Sequence, residues 1–76
     1  MSNANVAFTF EGREVTIQCS SNEKMRIICQ RYVTKIGINL NSLLFLYGGN
    51  QLNLDSSFNE HANSIDKENN VMNILV

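Results

Sequence analysis

Residues 41 to 52 read "NSLLFLYGGNQL". Leu43, Leu44, Phe45, Leu46 and Tyr47 run without a polar break and stop at Gly48-Gly49. A half-buried strand should alternate apolar and polar residues. This one is apolar at both parities, so it offers an apolar side chain to each face of its sheet. The number of layers the chain can build decides what the second face is for.

The chain has 76 residues, 43% hydrophobic and 17% charged. That fits a single globular domain. A domain this short buries about 60% of the surface its unfolded chain exposes. Large apolar residues left outside are therefore costly to the core.

Working back from residue 41, one pattern fits a helix. Met25, Ile28, Cys29, Tyr32 and Ile36 fall at spacings of three and four, the buried stripe of an amphipathic helix. Ser20, Ser21 and Asn22 are all N-cap types, and Ser20 with Glu23 has capping-box spacing. Gly37 stands where a C-cap belongs. The expected helix covers about residues 22 to 36. Before it, Val6, Phe8 and Phe10 recur at period two, as do Val15, Ile17 and Cys19. Gly12 between them marks a tight hairpin turn.

Past residue 47, Gly48-Gly49-Asn50 reads as a turn and residues 51 to 54 as a short fourth strand. The polar run from residue 55 to 70 holds Phe58 and Ile65 as isolated anchors and has room for a helical turn. Residues 71 to 76 form a last strand with Met72, Ile74 and Val76 on one parity. The order is strand, strand, helix, strand, short strand, strand. One helix can cover only one face of a single mixed sheet, which makes the class α+β. Residues 1 to 5 are expected to form a flexible N-terminal lead and residues 6 to 76 the domain.

The order of elements, together with "LFLYGGNQL", resembles the ubiquitin-like β-grasp family. Ubiquitin carries LIFAGKQL across its third strand, turn and fourth strand. Gly37-Ile38 resembles its helix-ending Gly-Ile, and residues 12 to 17, "GREVTI", resemble its first hairpin, GKTITL. The resemblance spans nearly all of residues 6 to 76. It implies a mixed sheet with one amphipathic helix packed on one face, and third and fifth strands that are neighbours.

The resemblance also bears on function. Ubiquitin ends in Arg-Leu-Arg-Gly-Gly, whose carboxylate is conjugated. The sequence here reads "NILV" at residues 73 to 76, and Gly48-Gly49 is internal. Asn50 stands where ubiquitin has a chain-forming lysine. Leu46 matches the central isoleucine of ubiquitin's docking patch, Leu75 its valine and Asn73 its histidine, while Leu44 replaces an arginine. If Leu43, Phe45 and Tyr47 face the helix, Leu44, Leu46 and Leu75 form an outward apolar cluster, with Asn73 and Gly49 at its rim.

Other chemistry has little support in the residues. Two cysteines, Cys19 and Cys29, lack metal-ligand spacing and fall on core parity. His61 is the single histidine, in a polar stretch. No metal site, cofactor or catalytic group is expected. A net charge of −1 and a pI near 5.6 argue against a nucleic-acid surface. No apolar run approaches a membrane span and no signal-peptide pattern opens the chain, so a cytoplasmic or nuclear setting is expected. The expected role is a monomeric, non-catalytic interaction module of a larger intracellular protein. Its partners would be proteins, with receptors of the ubiquitin pathway implied by the resemblance, and neither nucleic acid nor membrane. Two alternatives are a covalent modifier whose glycine tail lies beyond residue 76, and a scaffold or oligomerisation domain.

Overall fold

The computed structural model describes residues 3–76. Met1 and Ser2, the first two residues of the expected lead, lie outside that range. The first strand, β1, runs Asn3–Phe10 and pairs antiparallel with β2, Arg13–Ser20. The boundary expected at residue 6 therefore moves back. β2 is long enough to set Ser20 against Asn3, Cys19 against Ala4 and Gln18 against Asn5, and Ala4 is fully buried. Two residues, Glu11 and Gly12, turn the hairpin at φ 50° and 79°. Positive φ at both positions suits the right-handed twist of the flanking strands.

The helix α1 spans Met25–Ile36 and starts later than its sequence signals suggest. Ser20 and Glu23 do make half of a capping box: the Ser20 N–H donates to Glu23 Oε1 at 2.8 Å. They close a turn before the helix instead of capping it. The first helical N–H groups find partners elsewhere. Met25 N–H donates to Ser56 O and Arg26 N–H to Leu54 O, at 2.8 and 2.9 Å. These distant carbonyls satisfy donors that a side-chain cap would otherwise take. At the other end, Gly37 is left-handed and its N–H donates to Val33 O.

A 3₁₀ turn at Leu40–Ser42 precedes β3, Leu46–Tyr47. The expected third strand at 43 to 47 is thus paired only over its last two residues. Leu46 lies opposite Leu75, the final residue of β5 (Val71–Leu75), so the residues before it have no ladder partner there. Leu43 is nonetheless extended, and Phe45 O accepts from Leu52 N–H at 2.8 Å. Gly48 and Gly49, at φ 60° and 82°, make a two-residue turn into β4, Asn50–Gln51. Asn50 pairs with Tyr47, so it belongs to the strand and not to the turn. The fourth strand expected at 51 to 54 ends early, because the chain swings away to cap α1.

Two short helices fill the polar run: α2, Phe58–His61, and α3, Ser64–Asn69. A full capping box of Ser57 and Glu60 starts α2, and the Asn63 side chain caps α3. Phe58 is buried, as expected of an anchor. Ile65 is 69% exposed and anchors nothing. Val76 follows β5 and donates its N–H to Thr9 O.

The sheet order is β2-β1-β5-β3-β4, with β1 and β5 parallel and the remaining pairs antiparallel. α1 lies on one face. Between them sit Val6, Phe8, Ile17, Met72 and Ile74 from the sheet and Met25, Ile28, Cys29, Tyr32 and Val33 from the helix. Phe8 and Tyr32 stack at 4.2 Å, and Phe45 meets both rings edge-on. Such aromatic groupings add specificity to the area they bury.

Candidate functional site

The outer face of the sheet, opposite α1, is set by strand alternation. Met72 and Ile74 are buried inward, so Val71, Asn73 and Leu75 of β5 point outward. Phe45 and Tyr47 pack on the core, so Leu44 and Leu46 point outward too. Register then decides which of these meet. Leu46 is directly opposite Leu75, and cross-strand neighbours at that separation touch. Leu44 lies two residues before Leu46, past the last paired position of the ladder. Asn73 lies two residues before Leu75, towards the side where Gly48-Gly49 turns. Leu44, Leu46, Asn73 and Leu75 therefore share one face, with the Leu46–Leu75 pair at its centre, and Gly49 lies in the turn that follows β3.

Exposure follows the same division. Leu44 is 54% exposed and Leu75 57%, while Leu46 is half-buried between its neighbours. Around them the ladder residues of this face are small or polar. One row runs Glu14, Thr9, Leu75, Leu46, Gln51; the next runs Thr16, Ala7, Asn73. Glu14, at the far end of the first row, is the charged residue among them. The face is an uncharged apolar centre with a polar surround. It has shape and apolar area to offer a partner, and little electrostatic steering.

Elsewhere both thiols and the single imidazole are held by burial or hydrogen bonding. The Cys19 thiol donates to Ala4 O, and Cys29 is fully buried. Burial pushes Cys19 up to about 11, helped by the nearby Glu23, and Cys29 up to about 12. Both values disfavour the thiolate, the nucleophilic form. His61 accepts from Asn53 N–H through Nε2 at 3.3 Å, with its ring tilted 5.4 Å from that of Tyr47. Among the described residues no three His, Cys, Asp or Glu side chains converge as a metal site would require. Among those residues no helix is long and apolar enough to cross a membrane.

One cluster escaped the sequence reading. The Tyr47 hydroxyl donates to the Asp66 carboxylate and accepts from Asn63 N–H at 3.0 Å, locking the start of α3 against β3. Burial raises the Tyr47 phenol, and the Asp66 hydrogen bond raises it further. The 19-residue separation of the pair left no local signal. The Ser57-to-Glu60 capping box, by contrast, was there to be read.

No protein-family model and no curated protein matches the chain. Solved structures do. A ubiquitin of Caldiarchaeum subterraneum superposes with a TM-score of 0.79 over 97% of this chain and 90% of its own, at 6% identity. This is the ubiquitin-like β-grasp fold. A de novo protein designed on the basis of ubiquitin matches at a TM-score of 0.68 over 96% of this chain and 84% of its own, at 14% identity. At such identities the ubiquitin-like likeness is one of backbone arrangement. What the fold does here has to be argued from its side chains.

Proposed function

We propose that this ubiquitin-like domain is a non-catalytic protein-interaction module of a larger intracellular protein. It docks partners through the outward face of β3 and β5, with Leu44, Leu46 and Leu75 as apolar contacts and Asn73 and Gly49 at the rim. The observation that carries the reading is the Leu46–Leu75 pair facing away from α1, with Leu44 and Leu75 more than half exposed. Scattered exposed leucines are ordinary. Three on one face, two of them cross-strand neighbours, form the contiguous patch that marks interaction sites.

The energetics suit a transient contact. Burying a leucine fully is worth about 1.5–3 kcal/mol before association costs are met. Three partly exposed leucines give a weak complex, and receptors of the ubiquitin pathway are the partners proposed. The experiment is chemical-shift mapping with candidate ubiquitin-binding modules. Shifts centred on Leu46, Asn73 and Leu75 support the reading; shifts centred on α1 reject it. Sedimentation at high concentration separates it from self-association through the same face.

A further inference from the structure

The two short helices are capped in different ways, and the difference involves the docking strand. In a capping box the N-cap side chain accepts from the N3 backbone N–H, and the N3 side chain accepts from the N-cap N–H. α2 closes both halves within itself. Ser57 Oγ accepts from Glu60 N–H at 3.2 Å, and Glu60 Oε1 accepts from Ser57 N–H at 2.9 Å. α3 closes the first half in the same way, with Asn63 Oδ1 accepting from Asp66 N–H at 2.8 Å. Its N3 residue is Asp66, one methylene shorter than a glutamate. The second half runs through another strand. Asn63 N–H donates to the Tyr47 hydroxyl at 3.0 Å, and that hydroxyl donates to the Asp66 carboxylate. A side chain of β3 thus completes the cap of α3.

β3 has few other attachments. Among the described residues it pairs with β4 at Leu46 and Tyr47, and with β5 at Leu46. β4 is equally short and forms the edge of the sheet. A two-stranded ribbon is marginal by itself in water. β5, by contrast, is registered with β1 along its whole length. α3 leads through Asn70 directly into β5. The contacts therefore close a ring. The Tyr47 hydroxyl joins β3 to α3, the chain joins α3 to β5, and the Leu46–Leu75 pair joins β5 back to β3. The Tyr47 ring is half-buried and 5.4 Å from that of His61 in α2, which holds the hydroxyl at the cap. An opening that withdraws β3 also removes the α3 cap, and fraying at the start of α3 frees β3.

We propose that Tyr47 is a positioning residue that joins β3, α3 and β5 into one cooperative unit, coupling the docking face to the order of α3. Such coupling is reciprocal. A partner that holds Leu46 in place suppresses the opening of α3, and unwinding of α3 weakens the partner's hold. The cooperative unit is a property of the free protein; its effect on a partner rests on the docking reading above.

Native-state amide exchange tests the unit, because segments that open together share one opening free energy. In the parent, the amides of Leu46 in β3 and Lys67 in α3 should show opening constants within about twofold of each other, and both larger than that of Tyr32 in α1. Tyr47→Phe keeps the ring and removes the hydroxyl, so protection at Leu46 and Lys67 should fall about three- to tenfold. Adding Asp66→Glu to Tyr47→Phe lets a glutamate reach Asn63 N–H as Glu60 reaches Ser57 N–H. That double variant restores the cap without the tether, so protection should return at Lys67 and stay low at Leu46. A ubiquitin-binding module should raise protection at both amides in the parent and at Leu46 alone in the double variant. Separate opening of the two amides in the parent, opening shared with Tyr32, unchanged protection in Tyr47→Phe, recovery of both amides in the double variant, or a bound module that protects Leu46 without Lys67 in the parent would each overturn the proposal. If the free-protein pattern holds and no module protects either segment, the cooperative unit stands and the docking reading fails.

Discussion

Ile74 and Leu75 are consecutive residues of β5 with opposite expected fates. Ile74 is 1% exposed in the core and Leu75 is 57% exposed on the outer face. Ile74→Ala removes buried carbons and leaves a cavity, at a cost of about 2–5 kcal/mol. Leu75→Ala can lose less than half of a leucine's full burial value, about 1 kcal/mol or less. A domain of this size has a total stability of about 4–11 kcal/mol. Ile74→Ala therefore removes a large share of it, and Leu75→Ala a small one. Each kcal/mol is worth about 4–8 °C in melting temperature for a domain this small. The first variant should melt about 8–40 °C lower and the second within several degrees of the parent. Urea denaturation of the parent and both variants, followed by circular dichroism, gives the two costs directly. Equal costs, or a larger cost for Leu75→Ala, would mean that the outer leucines serve the fold and are not held for a partner.

Glu11 occupies the left-handed region at φ 50°, where a residue with a Cβ is strained by about 1–2 kcal/mol and asparagine is better tolerated. Glu11→Asn should raise the urea midpoint; a lowered midpoint refutes the strain. Glu23 is held below its ordinary 4.5 by the Arg31 hydrogen bond and then by Ser20 N–H, and Glu60 below 4.5 by the Ser57 backbone. Depressed carboxylates contribute stability that is present above about pH 4.5 and lost as pH falls through their folded values. The urea midpoint should accordingly drop below pH 4.5, and Glu23→Gln should flatten that drop; an unchanged acid limb counts against the pairing. Both thiols should resist a disulfide reagent at pH 8 in the native state and react fully once unfolded, so rapid native labelling would contradict their burial. Partner affinity on the outer face should change little between low and high salt, because its ladder residues are nearly uncharged; a steep salt dependence points to another surface.

The architecture was legible because periodicity and burial agree here. The alternation of Val6, Phe8 and Phe10, and the three-and-four spacing from Met25 to Ile36, correspond to buried positions. The outward parity of Leu44, Leu46 and Leu75 followed from the same alternation. Element ends were harder to read. The start of α1 depends on carbonyls of Leu54 and Ser56, about thirty residues away, and no local capping signal reports that. The length of β3 depends on where β5 stops. Asn3 to Asn5 looked like a lead because Asn is a poor strand former; the partners waiting on β2 override that preference. Ile65 looked like an anchor by composition alone, and its position on α3 leaves it in solvent.

The central claim is that the Leu46–Leu75 face binds a partner and does not stabilise the fold. Its most direct test is the dissociation constant of Leu46→Ala for a ubiquitin-binding module that the parent binds, measured beside the variant's melting temperature. The account predicts about a tenfold or greater loss of affinity with a melting temperature within several degrees of the parent. Unchanged affinity, or an affinity loss that merely tracks unfolding, would contradict it.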